Sequence, residues 1–273
     1  MLRKILGQLF DGVAAGLLIT IGCCVFLPLS GSENTKWVGA VLFSVALLTI
    51  CYKNYSLYTG RIGLLLENLN KDYISGLLLG LLGNVIATAI IGIAVQYAMP
   101  NLHVIANVMC QTKLLQEWWQ TLIRAILCGV LMYVAVSIFK QKKSIVGVLF
   151  AIPVFILSGF EHSIADMGYF AIGGIYSAEA FGFIWIVIIG NSIGALILPV
   201  LGLVKKQVAS KKGEPETAEQ TDANVDLNVS AEKEITPADT DNFVGVIEET
   251  EVKDVIPTYT ADTSTLVSEE SNE

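Results

Sequence analysis

Ser158-Gly159-Phe160-Glu161-His162-Ser163-Ile164-Ala165-Asp166-Met167 brings three ionisable side chains within six residues at the end of an apolar run, 144–161, and just before the glycine-bearing stretch Gly168–Gly174. Ionisable groups are costly in hydrocarbon, and where they occur there they mark a functional interior. Interrupted backbone at membrane depth is tolerated only where protein or a water-filled cavity covers it. The stretch therefore reads as a break in a spanning helix of a membrane protein.

The rest of the chain agrees with that reading. Of 273 residues, 53% are hydrophobic and only 15% charged, too few charges to cover the surface of a soluble domain of this length. Residues 1–212 hold 15 basic and 8 acidic residues, a balance of +7, whereas 213–273 hold 2 basic and 17 acidic, a balance of −15. Gly213–Glu273 has scattered single apolar residues without periodicity and cannot bury enough surface to offset ordering entropy, so it is expected to be disordered. The chain divides into an expected membrane domain, 1–206, and an acidic cytoplasmic tail, 207–273. A nucleic-acid partner is excluded by the lack of a basic patch with interleaved aromatics. Cys23, Cys24, Cys51, Cys110 and Cys128 form no Cys-x-x-Cys pair, so neither a disulfide framework nor a zinc site is expected, and no cofactor is. Arg3 and Lys4 precede an apolar run that continues to about Leu29 without a cleavage site, which reads as a first span rather than a signal peptide.

Apolar runs of spanning length lie at about 8–30, 36–59, 73–99, 118–140, 144–161 and 183–204, giving six expected transmembrane helices in an all-α protein. Arg3, Lys4, Lys71, Lys140, Lys142, Lys143, Lys205, Lys206, Lys211 and Lys212 fall on one side of that topology, and only Lys36 and Lys113 on the other. Both termini are thus expected in the cytoplasm, with the chain crossing the plasma (inner) membrane several times. The second span carries the polar stretch Tyr52–Arg61, which predicts a break near Thr59 and Gly60. Gly83-Asn84 in the third span is echoed by Gly190-Asn191 in the sixth. With breaks in the second and fifth, spans 1–3 and 4–6 form an inverted repeat, a pattern that points to a transport site between the halves.

His162 is the histidine expected in the interior, whereas His103, in the polar segment between the third and fourth spans, is expected to be exposed. Glu161 would repel an anion and is expected to be a structural anchor, accepting hydrogen bonds at the break. Ser56 and Thr59 can cap helix ends or offer hydroxyls to an anion, and sequence alone does not divide these roles. Asn84 and Asn191 are paired so as to brace the two breaks. No Gly-x-Ser-x-Gly elbow or His-Glu-x-x-His motif is present, so the chain is not expected to be an enzyme.

Gly159–Met167 closely resembles the signature of the formate/nitrite transporter family, Gly-Phe-Glu-His-Ser-[Ile/Val]-Ala-Asn-Met. Leu57-Tyr58-Thr59 is similar to that family's Leu-Phe-Thr, Arg124–Cys128 resembles the start of its fourth span, and both Gly-Asn segments fit its third and sixth. The resemblance covers roughly residues 5–206. It implies an aquaporin-like fold with broken second and fifth helices, a homopentamer with one pore per protomer, and passage of small weak-acid anions with a proton: formate, nitrite, hydrosulfide, acetate or lactate. It also implies that His162 is the central pore histidine, that Thr59 faces it, that Tyr58 stands at a constriction and that Asn191 lies near the pore. Three positions depart from the family pattern. Asp166 replaces asparagine and is expected to be neutral or paired with an internal cation, Gly129 stands where asparagine is common, and Val146 stands where a vestibule lysine is common. These departures motivate an alternative, a non-conducting membrane scaffold or sensor acting through its acidic tail. A third reading, a water or neutral-solute channel, lacks support because the paired Asn-Pro-Ala motifs expected of aquaporins do not occur in the sequence.

Overall fold

Asn54 ends the second long helix in the left-handed conformation, φ 56° and ψ 33°, which asparagine tolerates better than most residues because its short side chain can bond locally. That residue sets the place of the first helix break. The computed structural model describes residues 2–211, and every regular element among them is helical. The helices are α1 (Leu2–Phe26), α2 (Glu33–Lys53), α3 (Tyr58–Ile62), α4 (Lys71–Ala98), α5 (Pro100–Leu114), α6 (Trp118–Lys142), α7 (Val146–Leu157), α8 (Ser163–Ile172) and α9 (Ala178–Lys211). Residues 207–211, placed at the start of the expected tail, continue α9, and the rest of that tail lies outside the described residues.

Among the described residues, five stretches are long and apolar enough to cross a bilayer: Leu2–Leu29, Glu33–Lys53, Lys71–Ala98, Trp118–Lys142 and Ala178–Val208. They match the first, second, third, fourth and sixth expected spans. The fifth, expected at 144–161, is instead the 12-residue α7 followed by the 10-residue α8. At 1.5 Å per residue α7 is about 18 Å long, short of the roughly 30 Å of a bilayer core. Gly159 turns the chain between them at φ +70°, a conformation a side chain would strain.

Two expectations about boundaries need correction. The break in the second span falls at 54–57 rather than near Thr59 and Gly60, and both of those residues are helical in α3. The cause is tertiary. Asn84 of α4 binds the backbone on both sides of Leu57, as described below, and that bonding outweighs the local polarity of Thr59-Gly60. The segment between the third and fourth spans is not a loop but α5, which packs on α8. His103 is therefore half-buried rather than exposed, with Nδ1 2.9 Å from the Ile172 carbonyl.

α1 packs along α4, and α6 along α9. The second pair approaches so closely that a Cβ at Gly194 would collide with the Ile126 carbonyl. α8 sits at the centre, with every residue but Met167 buried. Large apolar side chains such as Leu78, Ile90 and Phe181 are 60–67% exposed on the outer surface. An exposed apolar surface of this extent fits lipid as its solvent.

Candidate functional site

Each break is held by one asparagine making the same three bonds. Asn84 Oδ1 accepts from the Tyr58 N–H at 3.0 Å, and Asn84 Nδ2 donates to the carbonyls of Gly12 at 2.8 Å and Ser56 at 3.0 Å. Asn191 Oδ1 accepts from the Ser163 N–H at 2.8 Å, and Asn191 Nδ2 donates to the carbonyls of Ala125 at 2.9 Å and Glu161 at 2.8 Å. Tyr58 and Ser163 are the first residues of α3 and α8, and both asparagines are fully buried. Helix ends leave N–H and C=O groups without intrahelical partners, and in a dry interior each must be satisfied by something else. The sequence expectation that the two Gly-Asn segments brace the breaks is thus given a geometry.

The braces bring Thr59 and His162 together. Thr59 Oγ1 lies 2.8 Å from His162 Nε2, and the side chains are 1% and 3% exposed. The other ring nitrogen, His162 Nδ1, accepts from the Ala165 N–H at 3.1 Å and so caps α8. An acceptor Nδ1 means that the neutral ring carries its proton on Nε2, aimed at the Thr59 hydroxyl. Phe155 of α7 stacks on the imidazole, with centroids 5.7 Å apart and planes 17° apart.

Two chambers open in this part of the fold. One of about 380 Å³ is lined by Lys36, Lys113, Arg124, Glu161, His162 and Asp166, among others. The second, of about 360 Å³, is lined by Leu57, Gly60, Arg61, Lys140 and Lys143, among others. Both therefore bear cationic side chains, the first together with His162 and the second together with Leu57 and Gly60, neighbours of Thr59 in sequence. Val146 is not among the lining residues of either chamber; it is 54% exposed at the first turn of α7. The second chamber draws its positive charge from Arg61, Lys140 and Lys143 instead.

Glu161 and Asp166 meet Lys113. The ammonium contacts Glu161 Oε2 and stands 3.1 Å from Asp166 Oδ1, while Gln116 Nε2 donates to Glu161 Oε1 at 2.8 Å. The internal cation expected for Asp166 is thus Lys113, carried in by α5. Tyr58 hydrogen-bonds to Ser192 Oγ at 2.8 Å. Ser192 itself donates to the Ile188 carbonyl at 2.6 Å, so the Tyr58 hydroxyl is the donor to Ser192.

Ser56 is not brought to the histidine. Its hydroxyl donates to the Gly76 carbonyl at 3.5 Å and its N–H to the Asp11 carbonyl at 3.2 Å, which ties the break to α4 and α1. Lys113, Gln116 and Ser192 were not singled out from sequence. The one available signal for Lys113 was the need for a cation opposite Asp166. Among the described residues, no three His, Cys, Asp or Glu side chains are grouped to hold a metal.

A family model for formate/nitrite transporters matches residues 1–204. Two solved structures are similar in fold. The first, an "FNT family ion channel", superposes with a TM-score of 0.66 at 19% identity, covering 74% of this chain and 90% of that one. The second, a "pentameric formate channel with formate bound", gives a TM-score of 0.63 at 17% identity, covering 76% of this chain and 98% of that one. At these identities the likeness is one of fold alone. No curated protein matches the chain.

Proposed function

The chain belongs to the formate/nitrite transporter family, and from that premise we propose that it carries small monovalent weak-acid anions across the membrane together with a proton. The observation that carries the reading is the buried Thr59–His162 pair, whose histidine lines one cation-bearing chamber and whose threonine has its neighbours Leu57 and Gly60 in the lining of another. An anion is drawn into either chamber by Arg61, Lys140 and Lys143, or by Lys36 and Arg124. As it leaves water its charged form is penalised, so its affinity for a proton rises. His162 Nε2–H and the Thr59 hydroxyl hydrogen-bond to its oxygen or sulfur atoms in place of each other. The neutral acid then passes Leu57, Tyr58 and Phe155, which an ion would not.

In this reading His162 stays neutral and acts as a hydrogen-bond donor. Its Nδ1 lone pair is occupied by the Ala165 N–H, so protonating that atom would uncap α8. Residues 1–206 are the transporting part, assembled as a homopentamer in the plasma membrane with both termini in the cytoplasm. The basic residues at 140–143 and 205–206 then lie on the cytoplasmic side, as the positive-inside rule requires. The tail, 207–273, is an appendage to that core. Formate, nitrite, hydrosulfide, acetate and lactate are the candidate substrates.

Stopped-flow uptake into proteoliposomes tests this directly. Formate, nitrite, hydrosulfide, acetate and lactate are offered in turn at external pH from about 5 to about 8, a window that changes the acid fraction of each by up to about a thousandfold. Uptake above that of bare vesicles, rising as pH falls, is the expected result for at least one acid. No flux of any acid from well-folded oligomers would turn the reading toward a non-conducting scaffold or sensor.

A further inference from the structure

Two carboxylates share one ammonium in the chamber beside His162. Glu161 and Asp166 are 2% and 1% exposed, and Lys113 touches both. Glu161 is fully engaged, with Oε2 on Lys113 and Oε1 accepting from Gln116. Asp166 is not. Its Oδ1 holds Lys113 at 3.1 Å, but Oδ2 is buried without a protein partner among the described residues. The only other such buried side-chain atom there is Ser163 Oγ, three residues earlier on α8 and so on the same helix face. With all three groups ionised the cluster carries one net negative charge and has an acceptor with no donor, both costly in a dry interior.

The surrounding elements bring no second cation into contact. α5 presents Lys113 and Cys110, α1 presents Cys23, α6 presents Cys128 and Arg124, α2 presents Lys36, α8 presents Tyr169, and the break presents His162. Lys36 and Arg124 line the chamber but form no ion pair with Glu161 or Asp166 among the described residues. A proton on Oδ2 answers the first cost. It makes the cluster neutral and gives Oδ2 a hydrogen to donate to a group that enters the chamber.

We propose that Asp166 Oδ2 is a proton-loading site, which takes a proton from hydronium in the chamber and passes it to the weak-acid anion that enters there. On loading, an O–H bond forms at Oδ2 and hydronium becomes water. On transfer, that bond breaks, the proton moves to an oxygen (or the sulfur) of the substrate anion, Asp166 is left ionised and the substrate is neutral. The second step rests on the proton-linked transport proposed above, whereas loading does not. A cluster with net negative charge repels an anion and a neutral one does not, so proton and anion each favour the other's entry, as linkage requires. Asp166 would thereby couple the two.

Infrared difference spectroscopy of the full chain in vesicles tests loading without any substrate. Between about pH 8 and about pH 5.5, a range above the ordinary carboxyl values, the acid spectrum should gain a protonated-carboxyl band. The band should shift when aspartate is labelled with ¹³C at Cγ, stay unshifted when glutamate is labelled, survive His162→Phe and vanish in Asp166→Asn. Labelling needs no substitution, so a variant that fails to fold does not decide the outcome. Absence of the band, a band that moves with labelled glutamate, or one that survives Asp166→Asn in folded protein would each overturn the proposal. Flux that persists when the band is absent would leave transport standing and remove only the loading site.

Discussion

His162→Phe should abolish proton-linked uptake while leaving a folded, assembled protein. Phenylalanine keeps the aromatic face that stacks on Phe155 and removes both ring nitrogens. The loss at Nδ1 is an N-cap, a matter of about 0.5–2 kcal/mol, which an assembly buried on this scale withstands. The loss at Nε2 falls on the anion as it passes. A hydrogen bond to a charged group is worth about 1.5–3 kcal/mol, so the crossing slows by about 10- to 150-fold, into the leak of bare vesicles. Stopped-flow traces on variant and parent, matched for protein by size-exclusion chromatography, measure this. A variant with the parent's rate and pH dependence would show that the imidazole has no part in conduction.

Asn191→Leu should have the largest effect on stability. The substitution keeps the volume but strands the Ser163 N–H and the Glu161 carbonyl in a fully buried place, and takes from the Ala125 carbonyl its second bond. Each buried polar group left without a partner costs about 1–3 kcal/mol, so the sum exceeds about 2 kcal/mol. For a chain of this size that lowers the thermal midpoint by at least about 4–8 °C. The second break then loses its fixed shape, and His162 with it. Fluorescence-detected size exclusion after heating gives the midpoint, with Ile193→Leu on the exposed side of the same helix as the reference. Equal midpoints for the two variants would mean that Asn191 is not the brace, and Asn84→Leu should behave as Asn191→Leu does because its three bonds are the same.

Much of the fold was legible because lipid imposes its own grammar. A run such as 73–99 must be helical, since only a helix satisfies its backbone in hydrocarbon, and the recurrence of Gly-Asn at 83–84 and 190–191 shows through as a repeat. His162 stood out for the complementary reason, as an ionisable group where few occur. What was not legible depends on contacts distant in sequence. The break at 54–57 is fixed by Asn84 bonding to residues 26 and 28 positions away, and no local feature of Thr59-Gly60 reveals that. Lys113 lies 48 residues from Glu161 in a segment polar enough to pass for a loop, and only the packing of α5 on α8 delivers its ammonium to the two carboxylates. His103 was misjudged on the same ground. Ser192 escaped notice because a serine inside an apolar helix usually bonds its own i−4 carbonyl, as this one does with Ile188, and its second bond to Tyr58 comes from the other half of the chain.

The most direct measurement follows the two co-substrates at once. Vesicles holding the full chain and a trapped pH dye are given labelled formate, with the membrane potential clamped by potassium and valinomycin at several values. A carrier that moves the anion only with its proton predicts internal acidification in step with formate entry, one proton to one anion, and the same rate at every potential. Formate entry that moves net charge, speeding and slowing with the clamp while the interior stays at its starting pH, would contradict it.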